Sequence, residues 1–88
     1  MSGLEMLERL SQEGRSRWVN SQQRMLLEVI DLCRNGYMIR FKIFWKDWYF
    51  IKLAHTNNGR VLIAEWKKNE WMLREGKRIL KRSIDPKV

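Results

Sequence analysis

The sequence is poor in residues that cross-link a chain or interrupt it. Its 88 residues include one cysteine, one proline and one histidine. A single cysteine excludes an internal disulfide, and no run of about 20 apolar residues is present to span a membrane. The first residues lack the basic and apolar segments of a signal peptide, so we expect a cytoplasmic protein that binds no membrane.

Residues suited to catalysis are also scarce. Cys33 and His55 fall in different predicted elements, and no Cys/His spacing is typical of a metal site. No glycine-rich loop precedes a helix to hold a phosphate. Asp47 is expected in a turn and Glu65 in a cross-strand pair, so no two carboxylates share a cleft for acid/base work. We therefore predict a protein that is not an enzyme and has no metal or other cofactor.

Positive charge is what the sequence has in excess. It contains 18 lysines and arginines against 10 acidic residues, a net charge of +8. The charge rises along the chain, from neutral over residues 1–36 to strongly positive over residues 67–88. A hydrophobic fraction of 44% argues against disorder, and the length suits one small domain, residues 1–88.

Residues 37–66, YMIRFKIFWKDWYFIKLAHTNNGRVLIAEW, predict a three-stranded antiparallel meander. Apolar and polar residues alternate from Ile39 to Trp45, which is the period of a half-buried strand. Asn58-Gly59 separates the next two apolar runs. This pair predicts a type I′ hairpin turn, because both residues tolerate the positive φ that such a turn requires.

The apolar pattern also predicts how the strands are aligned. A two-residue turn at Asn58-Gly59 pairs Ala64 with Leu53. In the first hairpin, a three-residue loop over 46–48 pairs Phe41 with Leu53 and makes one face wholly apolar, whereas a two-residue loop mixes the faces. We therefore predict the three-residue loop. The other face of the sheet then carries Met38, Arg40, Lys42, Phe44, Phe50, Lys52, Ile63 and Glu65.

Two helices are predicted before the meander, over residues 1–36. The first runs from Leu4 to Gln12 and ends at Gly14. Asn20 or Ser21 caps the second, which runs to about Arg34 and stops at Asn35-Gly36.

A third helix is predicted over residues 67–84, followed by a tail over 85–88. Turning residues by about 100° each groups Met72, Leu73 and Ile79 into a stripe that covers the sheet, and leaves Trp71 exposed among arginines. The predicted fold class is therefore α+β, in the order α-α-β-β-β-α, with the C-terminal helix packed on the sheet.

The apolar arc of the second predicted helix is wider than one contact needs, and the first is too short to be stable alone. These helices either pack on the sheet and on each other or meet a second copy of the chain. We predict a homodimer. Its interface would contain Met6, Leu7, Leu10, Leu26 and Ile30.

The predicted order of elements resembles two nucleic-acid-binding architectures. It is similar to the double-stranded RNA-binding domain, whose last helix begins with a lysine pair at the place of Lys67 and Lys68. It also resembles sheet-plus-helix DNA readers such as the AP2-type and integrase arm-binding domains, which lay a three-stranded sheet in the DNA major groove. The likeness is one of topology over residues 37–82. Lys46-Asp47-Trp48 replaces the Gly-Pro loop of the RNA-binding family, and we assign the chain to neither family.

Lysine and arginine neutralise phosphates, and aromatic rings stack on unpaired bases. We therefore predict a non-catalytic, regulatory DNA- or RNA-binding protein that uses one sheet face and the last helix. The alternative is a modulator or inhibitor from a phage or other mobile element that binds an acidic surface of a host protein. The predicted nucleic-acid-binding residues are Arg40, Lys42, Phe44, Phe50, Lys52, Arg60, Lys67, Lys68, Trp71, Arg74, Lys77, Arg78, Lys81 and Arg82.

Overall fold

The structure is a computed structural model that describes residues 20–85 and Glu5. Residues 20–85 form one helix, α1 (Ser21–Arg34), and five strands. The strands are β1 (Tyr37–Phe44), β2 (Trp48–His55), β3 (Val61–Lys67), β4 (Glu70–Glu75) and β5 (Arg78–Ile84). All five form one antiparallel sheet in the order of the sequence. The predicted first helix, with Met6, Leu7 and Leu10, lies outside the described residues.

The predicted α-α-β-β-β-α order is wrong, because residues 67–84 form a hairpin instead of a helix. Trp71 and Leu73 alternate with outward residues and are buried against the core. Gly76 has a φ of 58° in the two-residue turn between Glu75 and Arg78. The apolar stripe fits a helix equally well, but pairing with β3 decides the outcome, as tertiary context often does. The resemblance to three-stranded nucleic-acid-binding domains ends with this correction.

Helix α1 is where the sequence predicts it. The Asn20 side chain caps it by accepting a hydrogen bond of 2.9 Å from the Gln23 N–H, and Asn35 follows its last turn. Its apolar side packs on one face of the sheet, which we call the inner face. The core consists of Met25, Leu26, Val29, Ile30, Ile51, Leu53, Leu62, Ala64, Trp71 and Leu73.

The predicted alignment of β1 with β2 is wrong, and a bulge is the reason. Ile39 lies opposite Leu53, but Phe41 lies opposite Lys52, so Arg40 is an extra residue in β1. The Trp45 N–H donates to the Trp48 carbonyl over 2.8 Å, which closes a two-residue turn at 46–47. The bulge therefore allows Ile39 to face the core while Phe41 faces the opposite side.

The β2–β3 alignment differs from the prediction by two residues, which preserves the faces. Leu53 pairs with Leu62, and Ala64 pairs with Ile51. The loop contains four residues, 56–59, and is closed by the His55 N–H donating to the Arg60 carbonyl over 2.8 Å. Only Gly59 in this loop has a positive φ, of 69°, so the turn is not type I′. Four-residue hairpin loops of this kind are common.

A polar cluster joins the end of β5 to the start of α1. The Asp85 carboxylate accepts hydrogen bonds from the Ser21 N–H and hydroxyl, over 2.6 and 2.8 Å. The Trp66 indole N–H donates to the same hydroxyl over 2.9 Å. A carboxylate at a helix N-terminus satisfies free N–H groups and complements the helix dipole. The cluster therefore stabilises the contact between helix and sheet.

The two sides of the sheet predict opposite sensitivities to truncation. Ile51→Ala should destabilise the protein by about 2–5 kcal/mol, because Ile51 is fully buried in the core. Phe41→Ala should cost about 1 kcal/mol or less, because Phe41 is 52% exposed. Urea unfolding measures both values. Comparable losses would contradict the bulged alignment.

A second predicted difference in stability concerns the glycines Gly36 and Gly76. The φ of Gly36 is 97°, and a Cβ there would lie 2.9 Å from Nε2 of His55. Gly76 also has a positive φ, but a Cβ would meet nothing within 4 Å. Gly76→Ala should cost about 1–2 kcal/mol from backbone strain alone. Gly36→Ala should cost more, because the His55 ring must also move, and thermal unfolding of the two variants tests that order.

Candidate nucleic-acid interface

The face of the sheet turned away from α1, which we call the outer face, has no helix of residues 20–85 upon it. Its side chains form three long rows that cross the strands, and one short row of Met38, Ala54 and Val61. The first row is Phe41, Lys52, Ile63, Arg74 and Ile79. The second row is Ile43, Phe50, Glu65, Met72 and Arg82. The third row is Trp48, Lys67, Glu70 and Ile84, and Trp45 lies beside Trp48.

Four aromatic residues form a group on the β1–β2 side of this face: Phe41, Trp45, Trp48 and Phe50. The Phe41 and Phe50 rings are 6.1 Å apart between centroids and meet edge to face, and Trp48 lies 5.9 Å from Phe50. The Trp48 indole N–H donates to Glu65 over 2.6 Å. Trp45, at the start of the hairpin loop, is 68% exposed. The aromatic group thus combines a held ring with freely accessible ones.

Carboxylates neutralise three of the basic residues predicted to bind. Arg60 forms two hydrogen bonds to Glu75, the shorter of 2.7 Å, and Lys81 pairs with Glu28 on α1 over 2.7 Å. Arg82 pairs with Glu70 across β4 and β5. These three cations form ion pairs within the chain and are therefore less available to an anionic partner.

Other predicted basic residues have no such partner. On the outer face, Lys52, Lys67 and Arg74 form no ion pair with any described carboxylate. Arg40, in the bulge, contacts the Met38 sulfur at 3.8 Å. Lys68, Lys77 and Arg78 occupy the β3–β4 and β4–β5 turns or their ends. The structure therefore brings Lys52, Lys67 and Arg74 to the aromatic face, and leaves Arg40 in the bulge and the other three at the turns.

Several predicted site residues lie elsewhere. Trp71, expected to be exposed, is 6% exposed in the core, and its indole N–H has no hydrogen-bond partner among the described residues. Phe44 packs on Tyr49 at the core side of the sheet. Lys42 lies opposite Ile51, so it projects toward the helix side.

Two predicted dimer-interface residues also have a different place. Leu26 and Ile30 are buried in the chain's own core, where they pack on the sheet. Homodimerisation stays a prediction, without these two side chains.

Sequence reasoning missed Phe41, Trp45 and Trp48 as surface residues. The signal for them was present in the two-residue alternative for the first hairpin, which places Phe41 opposite Lys52. That alternative mixes polar and apolar residues on both faces, and a bulge restores the apolar inner face near Ile39. A bulge adds one residue without a recognisable sequence requirement, so the pattern alone favoured the simpler ladder.

A groove of about 680 Å³ runs along β1, which is an edge strand of the described sheet. Cys33, Tyr37, Ile39 and Lys42 are among its lining residues. Burial raises the pKa of the Cys33 thiol, which keeps the sulfur in its poorly nucleophilic neutral form. The groove is therefore apolar surface with a basic rim, and its cysteine is not activated for nucleophilic attack.

Comparisons with protein-family models, with curated proteins and with solved structures found no match for this chain. Among residues 20–85, the only helix is too short and too polar to cross a bilayer. No group of three potential ligands that could hold a metal ion is present in the described part of the chain.

The Arg60–Glu75 pair predicts an acid-dependent contribution to stability. The hydrogen bond from Arg60 lowers the pKa of the Glu75 carboxyl below its usual range. The stabilising contribution is present above the unfolded-state pKa and is lost as the pH falls through the lower folded-state value. NMR titration of the Glu75 carboxyl carbon should show this low pKa. Arg60→Gln should raise it more than Arg78→Gln does, because Arg78 is the weaker influence.

Proposed function

We propose that the protein binds nucleic acid, without catalysis, through the outer face of its sheet. The observation that carries the proposal is that the aromatic group and three cations, none of them paired with a carboxylate of the described residues, share a face that no helix of residues 20–85 covers. Cations supply affinity for the phosphate backbone, and aromatic rings supply surfaces for bases. This partner also fits the cytoplasmic location predicted from the sequence.

The arrangement of charges supports this proposal. Lys52 and Arg74 lie in the first row with one strand between them, and Lys67 lies two rows away on β3. Adjacent strands are about 4.8 Å apart, so Lys52 and Arg74 are separated by about 10 Å across the sheet. Phe50 lies in the row between Lys52 and Lys67. Basic groups therefore lie in the rows on either side of Phe50, and all three are on the β2–β4 side of the aromatic group.

The carboxylates of the outer face do not cancel this charge. Glu70 is paired with Arg82, whereas Glu65 accepts a hydrogen bond from the neutral Trp48 indole and keeps its negative charge, one carboxylate against Lys52, Lys67 and Arg74. The Glu70–Arg82 pair is neutral as a whole. An approaching polyanion therefore meets a surface whose unneutralised groups are mainly cationic, which favours association at low salt.

A protein partner is the second candidate, and one observation favours it. Met38, Val61, Ile79 and Ile84 are all exposed, at 40–58%. They extend the apolar part of the outer face toward both ends and toward β5. Exposed apolar patches of this kind often mark protein–protein contacts. A host protein with an acidic rim around an apolar centre would match this surface.

Removing two outer-face cations should weaken nucleic-acid binding. Lys52→Ala with Arg74→Ala should lower the slope of log affinity against log salt by about 1.5–2, because two phosphate contacts are lost. The charge-matched control is Lys42→Ala with Arg34→Ala, which removes two exposed cations away from the outer face. Fluorescence anisotropy with labelled oligonucleotides at several salt concentrations measures both variants.

The control should lower the slope less than the outer-face variant. Equal effects would show that binding follows net charge alone and would contradict a defined surface. If the folded wild-type protein binds no nucleic acid at about 150 mM salt, the proposal is wrong, since even non-specific binding persists at that concentration. The protein-partner candidate would then take its place.

A further inference from the structure

We infer that the nucleic acid is a single strand whose bases stack on the aromatic group, with little distinction between DNA and RNA. The inference rests on the proposed function and specifies its ligand. Three observations carry it: the geometry of the aromatic rings, the width of the sheet, and the chemistry of the polar groups on the outer face.

The rings are arranged to receive bases from the solvent side. Phe41 and Trp45 are more than half exposed; Phe41 lies in β1, and Trp45 follows the last residue of that strand. Trp48 is fixed by its bond to Glu65, and Phe50 lies between Trp48 and Phe41. Rings held in place before binding lose little conformational entropy when a base stacks on them. Stacking needs an unpaired base with an accessible face, which a duplex does not offer along its length.

The width of the sheet argues against duplex DNA. Four gaps of about 4.8 Å separate β1 from β5, so the outer face is about 19 Å wide. The major groove of B-DNA is about 12 Å wide and admits a helix or a two-stranded ribbon. The outer face of a five-stranded sheet therefore cannot enter that groove. Resting on the duplex surface would place phosphates against Ile43, Ile63 and Met72, which offer them no hydrogen bond.

The polar groups of the outer face indicate that the type of sugar and the base sequence should have little effect on the affinity. Its rows contain no serine, threonine, asparagine or glutamine. The two carboxylates, Glu65 and Glu70, already accept hydrogen bonds from Trp48 and Arg82. Base edges and the ribose 2′-hydroxyl are recognised by groups of these kinds. Because the face has no neutral polar side chain of these kinds and each carboxylate already holds one hydrogen bond, it binds mainly through stacking and charge, which are tolerant of sequence.

The test compares oligo(dT), oligo(U) and a duplex of equal length, by fluorescence anisotropy at one salt concentration. The wild-type protein should bind both single strands with affinities within about tenfold of each other, and the duplex more weakly. Phe41→Ala with Trp45→Ala should weaken single-strand binding at least about tenfold, because each lost stacking contact is substantial. Duplex binding should change far less.

Trp45→Phe and Leu27→Ala are the controls. The phenylalanine retains a stacking surface and should keep most of the single-strand affinity. Leu27 is an exposed apolar residue on α1, and its truncation should leave binding unchanged. Urea unfolding of each variant confirms that the fold is retained, as the exposure of Phe41 and Trp45 leads us to expect.

The outcomes separate this inference from the proposed function. A duplex bound as tightly as the single strands, or equal losses for both in the Phe41/Trp45 variant, would overturn single-strand stacking while nucleic-acid binding stands. More than about tenfold preference between oligo(dT) and oligo(U) would overturn the indifference to sugar. Absence of binding to all three ligands would refute the proposed function itself.

Discussion

The packing of α1 on the inner face determines which strand residues are buried and which face outward. Because α1 buries Met25 and Val29 against Ile51 and Leu53, the inner face is committed to the core. Side chains alternate along each strand, so this commitment also determines which residues face outward. The polar cluster of Asp85, Ser21 and Trp66 joins the start of α1 to β3 and to the residue that follows β5. The outer face and its aromatic group are a consequence of that single helix–sheet contact.

The bulge at Arg40 changes which residues of β1 face outward. Without the extra residue, β1 would keep one set of alternating residues inward along its whole length. With it, Tyr37 and Ile39 face the core, while Phe41 and Ile43 join the outer face. Bulges also make an edge strand less suitable for pairing with another chain, and β5 has a similar irregularity at Leu80. The same local feature thus protects an edge of the sheet and enlarges the aromatic surface.

The sequence predicted the features that depend on local chemistry. The cap at Asn20, the stop at Asn35-Gly36 and the existence of the first three strands follow from residue types that have few alternatives. The hairpin of β4 and β5 was missed because its apolar residues satisfy both a helical and a strand period. Gly76 was interpreted as a close-packing position in a helix, although its positive φ serves a turn. The choice between the two depended on the open edge of β3, which no local pattern records.

The structure keeps part of the predicted basic and aromatic sheet face and changes which residues belong to it. A surface of basic and aromatic residues on the sheet was expected, and Phe50 and Lys52 are indeed on the outer face. The membership changed because alignment and ion pairing both depend on tertiary structure. Trp71 was assigned to an exposed helix that does not exist, and the bulge moved Phe41 to the surface. A count of charges likewise cannot distinguish a free cation from one that a carboxylate already holds.

Ion pairing and burial together separate the residues that maintain the fold from those available to a partner. Lys81 joins β5 to α1 through Glu28, and Arg60 joins neighbouring loop and strand ends through Glu75. Lys52, Arg74, Phe41 and Trp45 contribute little to either the core or these pairs. Substitutions of such surface residues usually change the free energy of unfolding by small amounts. The helix–sheet contact places them on one face, and the absence of a role for them in the core or in the ion pairs leaves them available to the partner proposed above.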